Sequence, residues 1–185
     1  MPHRTCPWWL GYLLVSPIRR LYENPNAVLG PHVRTGMTVV ETGPGMGFFT
    51  LDIARLVGTG GRVIAIDIQP RMIAALRRRA RRAGLLERIE TRVVQADATG
   101  MEDLDGRADF VLAFAVVHEL PDRARFFGAA ARALKPGGRL LLAEPRGHVD
   151  DTAFARTVAA GEAAGLHMVE QLQVRASHAA LLQKP

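Results

Sequence analysis

Short apolar runs alternate with amphipathic stretches along most of this chain. Residues 37–42, 63–67, 110–114 and 139–144 are brief runs rich in Val, Ile, Leu and Ala, and residues 90–95 make a further short run around Val93 and Val94. Such runs read as strands of a buried parallel sheet. Between them, residues 47–57, 70–83, 122–134 and 150–164 carry apolar positions at helical spacing. In 70–83, for instance, Ile73, Leu76 and Ala80 share one face while arginines take the other. Residues 169–174 and 179–183 form a final pair of strands in a hairpin. Upstream, a helical segment covers residues 8–22 and a short helix or turn covers 25–30. Strands alternating with helices predict an α/β fold, doubly wound, with helices on both faces of a mostly parallel sheet. With the terminal pair the sheet has seven strands and ends in a C-terminal antiparallel β-hairpin.

The end of the first run holds the most informative residues. Glu41 closes the strand, and Gly43, Gly45 and Gly47 follow at every second position, with Pro44 between the first two. Glycine reaches backbone torsions that other residues avoid and lets a ligand approach the main chain. A strand, a glycine loop and a helix in succession commonly hold a nucleotide-like cofactor. The dinucleotide fingerprint G-x-G-x-x-G needs a third glycine at position 48, which is Phe. Asp67 closes the second run, 20 residues beyond Gly47. A carboxylate there can accept hydrogen bonds from both hydroxyls of a ribose, or cap the helix that begins near Pro70. It serves nicotinamide and other nucleoside cofactors alike.

The spacing acid-x-G-x-G-x-G from Glu41 to Gly47 resembles motif I of the class I, Rossmann-like S-adenosylmethionine-dependent methyltransferases. The turn Leu134-Lys135-Pro136-Gly137-Gly138 before the fifth strand is typical of that family as well. Mechanically, Pro136 ends a helix and the paired glycines reverse the chain. The resemblance covers roughly residues 30 to 185. It implies S-adenosyl-L-methionine as cofactor and S-adenosyl-L-homocysteine as product. The cofactor edge it implies comprises Glu41, Gly43, Pro44, Gly45, Gly47, Asp67 and Ile68, then Asp97, Ala98 and Phe114. Asp97, just past the third strand, matches the family position that faces the adenine amino group; a turn residue is the plainer reading. Amino-methylating nucleic-acid enzymes of this fold carry a D/N-P-P-aromatic motif after the fourth strand. Phe114-Ala115-Val116-Val117 stands there instead, which argues against a DNA-base acceptor.

Composition narrows the setting. The chain has 185 residues, 48% of them hydrophobic, enough for one globular domain over residues 1–185. Residues 1–30 are expected to form a helical lid and 31–185 the cofactor-binding core. One cysteine, Cys6, permits no intrachain disulfide and no multi-thiolate metal site, so a cytoplasmic location and no metal are expected. Net charge is +6, and all but two of the 24 basic residues are arginine. The densest cluster, Arg77-Arg78-Arg79-Ala80-Arg81-Arg82, reads either as a solvated helix face or as a patch for nucleic acid or anionic membrane. With no aromatic residue in the cluster, base stacking is disfavoured and nucleic acid is an unlikely partner. Trp8, Trp9, Tyr12, Leu13 and Tyr22 mark the N-terminal segment as a lid; residues 8–20 also fit peripheral membrane contact. A homodimer, whose neighbour would wall a bare pocket, is compatible with the sequence.

Three residues at strand ends can do chemistry. His118 follows the fourth strand and titrates near neutral pH, so it is the candidate base for a hydroxyl or acidic carbon. A packing or backbone-bonded His is the alternative. Glu144 closes the fifth strand, either ordering the site or pairing with Arg146, and His148 follows it. These make His118, Glu144 and His148 the catalytic candidates. The expected function is methyl transfer to a small, apolar or aromatic acceptor. A membrane-docking lipid or quinone methyltransferase is the near alternative. A nicotinamide-dependent oxidoreductase and a non-catalytic S-adenosylmethionine-binding protein are the alternatives from other classes.

Overall fold

The computed structural model describes residues 23–185. The expected helix at 8–22 and its aromatic residues lie outside them. Seven strands make a mostly parallel sheet that ends in an antiparallel hairpin, as the apolar pattern predicts. The chain falls into two compact units that meet at Gln95 and Ala96.

In the first unit, α1 (Pro25–Leu29) precedes β1 (Thr38–Thr42), α2 (Thr50–Leu56), β2 (Arg62–Asp67), α3 (Pro70–Arg82) and β3 (Ile89–Val93). The strands lie in the order β3-β2-β1 and all run parallel. Val39, Val40, Val63, Ile64 and Ala65 are wholly buried, as expected for strands covered on both faces. Helix α3 buries Met72, Ile73, Ala75, Leu76 and Ala80 at spacings of three and four. Helix α2 starts at Thr50, three residues later than the sequence pattern gives, because residues 45–49 are spent in the turns of the glycine loop. Strand β3 ends at Val93, short of the expected Gln95, although Val94 N still donates to Asp67 O at 3.1 Å.

In the second unit, β4 (Ala108–Phe114) leads through a 3-10 turn (Val117–Glu119) to α4 (Arg123–Ala133). Then come β5 (Leu134–Pro145), α5 (Asp151–Ala163), β6 (His167–Val174) and β7 (Ser177–Gln183). The order is β4-β5-β7-β6, parallel at β4/β5 and antiparallel at β5/β7 and β7/β6. Helices α4 and α5 are capped by Asp122 and Asp150, whose side chains accept from Arg125 N and Ala153 N. The expected turn at 134–138 proves to be a bulged opening of β5. Its register against β4 jumps from Ala108↔Leu134 to Phe110↔Arg139. Gly137, at φ +76°, donates to Lys184 O at 2.9 Å, and Lys184 N donates to Gly138 O at 2.9 Å. The glycines thus turn the chain while keeping it paired to the end of β7.

Gly61 fixes the entry to β2. A Cβ there would lie 2.6 Å from Met37 O, 2.6 Å from Val57 Cβ and 2.7 Å from Val57 O. Backbone atoms cannot move aside cheaply, so Gly61→Ala should lower unfolding free energy by about 1–3 kcal/mol in urea titration. An unchanged midpoint would mean that β1 and β2 tolerate a wider separation.

Candidate functional site

The glycine loop of the first unit is held by its own backbone and by one acid. Gly43, Gly45 and Gly47 have φ of +70°, +55° and +85°, where a side chain is strained. Gly43 N donates to Ile66 O and Gly47 N to Pro44 O, both at 2.9 Å. A Cβ on Gly47 would lie 2.3 Å from Leu76 Cδ1, so this glycine lets α3 pack against the loop. A Cβ on Gly45 would meet nothing within 4 Å. Gly45 is the open part of the loop.

Asp67 ties this loop to the end of β2. Its Oδ2 accepts from Gly45 N at 3.2 Å and its Oδ1 from Gln69 N at 2.8 Å. Gln69, not Asp67, is the N-cap residue of α3. A carboxylate at this strand end is a group that can accept from a ribose hydroxyl. On the other side of the loop, an Arg79 guanidinium N–H donates to Met46 O. No local signal marks this brace, which joins residues 33 positions apart. Ile68, just past Asp67, is 40% exposed.

Glu41 is the electrostatic anomaly of the first unit. It is 3% exposed, and its Oε2 has no hydrogen-bond partner. Burial pushes its carboxyl up to about 7, and the Asp67 charge adds to the rise. The Thr50 hydroxyl opposes the rise, though Thr50 Oγ1 completes no hydrogen bond. An orphaned buried carboxyl oxygen, an open glycine and an acid at the neighbouring strand end are features that fit a ligand with hydroxyl and ammonium donors. Glu41, Gly45 and Asp67 could therefore hold the cofactor that the resemblance implies.

The second unit contains a histidine clamped by a buried carboxylate. Glu144, 1% exposed, closes β5. Its Oε1 accepts from Val117 N at 2.8 Å and from His118 N at 3.2 Å. Its Oε2 accepts a hydrogen bond from His118 Nδ1. This bond fixes the tautomer, leaving Nε2 as the basic nitrogen when the ring is neutral. The bond to Glu144 raises the His118 pKa above the ordinary imidazole value. Desolvation and Arg123 oppose the rise, while the charges of Glu144 and Glu119 add to it. Glu119 Oε1 lies 4.0 Å from Nε2. The His148 ring is stacked against His118 at 5.7 Å between centroids and 14° between planes.

The structure thus brings together His118, Glu144 and His148. Arg146, the alternative partner for Glu144, instead donates from Nε to Ser177 O at 3.3 Å. The other candidates of this unit are less constrained: Asp97 is exposed in the turn after β3, Ala98 is half-buried beside it, and Phe114 closes β4 half-buried. No group of three or more His, Cys, Asp or Glu among the described residues is arranged to hold a metal ion. Sequence reasoning passed over His178, which sits opposite Glu144 in the β5–β7 register and stacks on Phe154 at 5.3 Å.

Residues 40–142 match the family described as "Methyltransferase domain". The chain is 35% identical over 112 residues to the ubiquinone/menaquinone biosynthesis C-methyltransferase UbiE of Klebsiella pneumoniae, and 34% identical to that of Escherichia coli. These alignments cover 60% of this chain and 44% of each relative, so the chain spans less than half the relatives' length. Among solved structures, a SAM-dependent methyltransferase from Aquifex aeolicus aligns with a TM-score of 0.87 at 22% identity, over 98% of this chain and 100% of that one. The [4+2]-cyclase SpnF aligns with a TM-score of 0.74 at 18% identity, over 86% and 80%. The fold is common to both, and so does not by itself fix the chemistry.

Glu41 and His118 should separate by pH. The raised Glu41 value costs nothing below the ordinary carboxylate range, where folded and unfolded chains both hold the proton. The penalty grows as pH rises to about 7, reaching about 3 kcal/mol. Between pH 4 and 8, the unfolding free energy of Glu41→Gln should therefore gain that much relative to wild type; parallel profiles would disprove a buried, protonated Glu41. For His118, the raised value makes the pair stabilising below the ordinary imidazole pKa, and this contribution is lost as pH rises through the folded value. NMR titration should find His118 above the ordinary range in wild type and lower in Glu144→Gln; equal values would sever the pair.

Proposed function

The chain belongs to the methyltransferase domain family, and from that premise we propose that it is an S-adenosylmethionine-dependent methyltransferase of a small, apolar or aromatic acceptor. The relatives' names carry the proposal one step further, to a carbon of a quinol-type ring. The observation that carries the catalytic assignment is the buried Glu144 carboxylate clamping His118 through its side chain and its backbone.

Bound S-adenosylmethionine would supply an electrophilic methyl group on a sulfonium centre, with S-adenosylhomocysteine as the leaving product. Glu41, the open edge of the loop at Gly45, and Asp67 would hold it, with Pro44, Gly43, Gly47 and Ile68 completing this unit's part of the cofactor edge. His118 Nε2 would remove the proton that the acceptor's hydroxyl or ring carbon must lose. Glu144 keeps Nε2 facing outward and stabilises the imidazolium that forms. Because its pKa is raised, His118 is a base only at higher pH, so turnover should climb as pH passes through the raised value. His148, parallel to His118, offers a flat face for a planar acceptor. Alignment of acceptor and methyl group supplies most of the acceleration in such a reaction.

A nicotinamide-dependent oxidoreductase is disfavoured by the family match and by Phe48 where the dinucleotide loop needs glycine. Among the described residues no helix is long and apolar enough to cross a membrane. On this reading the protein works in the cytoplasm as a single domain. Membrane contact through residues 8–20 and a homodimer are the finer expectations that accompany it.

Calorimetric titration with S-adenosylmethionine, S-adenosylhomocysteine and NAD tests the cofactor. The two sulfur ligands should bind wild type and lose affinity in Asp67→Ala, and NAD should not bind; binding of NAD alone would overturn the reading. His118→Ala should keep cofactor affinity and lower kcat about 10²–10⁴-fold on a quinol-type acceptor. Full turnover by that variant would remove His118 from the chemistry.

A further inference from the structure

The whole formal charge of this chain resides on one helix. Helix α3 carries Arg71, Arg77, Arg78, Arg79, Arg81 and Arg82 and no acid, while the net charge of the chain is +6. The rest of the sequence is therefore formally neutral. A general preference for arginine explains why the basic residues are not lysine. It does not explain why six arginines and no acid gather on one thirteen-residue helix. Arg77/Arg81 and Arg78/Arg82 are like-charge pairs four residues apart, a spacing that destabilises a solvated helix. The buried Met72, Ile73, Ala75, Leu76 and Ala80 fix the orientation, so Arg77, Arg78, Arg81 and Arg82 are all exposed on the opposite face.

Arg77 and Arg79 have structural work, and this separates them from Arg78, Arg81 and Arg82. Arg79 braces the glycine loop at Met46 O, and Arg77 Nη1 donates to Thr91 Oγ1 at 3.0 Å. The acids closest in sequence do not neutralise the face. Glu90 is paired with Arg92 at 2.7 Å, and Glu87 lies in the turn at Leu86–Arg88, beyond the helix. The exposed face offers guanidinium groups and Ala74, with no Asn, Gln, Ser, Thr or aromatic side chain. It can recognise phosphate but cannot read or stack on a base. Thirteen residues extend about 20 Å in a straight line, a footprint suited to a plane of phosphates.

We infer that α3 is a docking face for an anionic phospholipid surface, with Arg78, Arg81 and Arg82 engaging lipid phosphates. The choice of lipid over nucleic acid rests on the proposed function, since a quinol-type acceptor partitions into membranes. Basic side chains near such a surface each add to binding and act within a screening length of about 8 Å at physiological salt. This places the membrane contact on α3, independently of residues 8–20.

Vesicle flotation with the full-length protein tests this. Wild type should float with vesicles of mixed phosphatidylglycerol and phosphatidylcholine, should not float with phosphatidylcholine alone, and should be released by salt. The triple variant Arg78→Gln, Arg81→Gln, Arg82→Gln should bind the anionic vesicles roughly tenfold or more weakly. Equal binding by variant and wild type, or no binding by wild type, would overturn the docking face. Tighter binding of wild type to a short RNA duplex than to the vesicles, lost in the variant, would also overturn it, in favour of nucleic acid. S-adenosylhomocysteine titration of both proteins is read separately. Its failure in wild type refutes the methyltransferase reading, whereas equal affinity in both proteins shows that the variant is folded and that the vesicle result concerns the face alone.

Discussion

A carboxylate buried at the end of a strand must find donors or give up its charge. Three acids of this protein meet that constraint in three ways. Asp67 takes backbone N–H groups of Gly45 and Gln69, and in doing so fixes the apex of the glycine loop to the end of β2. Glu144 takes two backbone N–H groups and an imidazole, and thereby orders the chain after β4. Glu41 has an oxygen with no partner and responds with a raised pKa. The two satisfied acids organise the loops around them. The unsatisfied one stores a cost that a donor-bearing ligand could relieve, which supports the proposed role of Glu41 in holding the cofactor.

Local pattern carried most of the fold. Strands β1, β2, β4 and β5 are legible because a strand covered on both faces must be apolar at nearly every position. Helix α3 is legible because its buried and exposed faces could hardly differ more. Element boundaries were less legible wherever glycine or proline had two roles. Gly47 reads as the start of a helix, yet the positive φ values of Gly45 and Gly47 delay α2 to Thr50. Gly137 and Gly138 read as a turn, yet their pairing with Lys184 keeps them inside β5. That pairing comes from the far end of the chain, where no local window reaches.

The candidate site divides along the same line. The glycine loop and Asp67 follow a spacing rule, because one strand–loop–helix unit makes them neighbours. His118 and Glu144 each look reactive in sequence, but nothing in the chain between them, 26 positions apart, says that they touch. Their contact depends on β4 and β5 being parallel neighbours in register, with Phe114 beside Ala143. Arg146 was the natural local partner for Glu144, and register overrode it. The Arg79 brace on Met46 O was likewise illegible, since the arginine reads as one more member of a solvated cluster.

The link between β4 and its histidine shows what the clamp must hold in place. Ala115 has φ +56°, a left-handed conformation that a residue with a Cβ adopts at a cost of about 1–2 kcal/mol. Its N–H still donates to Ala143 O at 2.7 Å, so the strand pairs up to the point at which it turns. Leaving the sheet so abruptly aims the N–H groups of Val117 and His118 at Glu144. Hydrogen bonds to a charged, buried acceptor contribute about 1.5–3 kcal/mol each, enough to offset the strained residue. Strain and clamp therefore stand or fall together: without Glu144 the turn at Ala115 has nothing to hold it, and without that turn His118 would continue along the strand instead of facing the carboxylate. Backbone strain of this kind collects where a side chain must be aimed, and here the side chain aimed is His118.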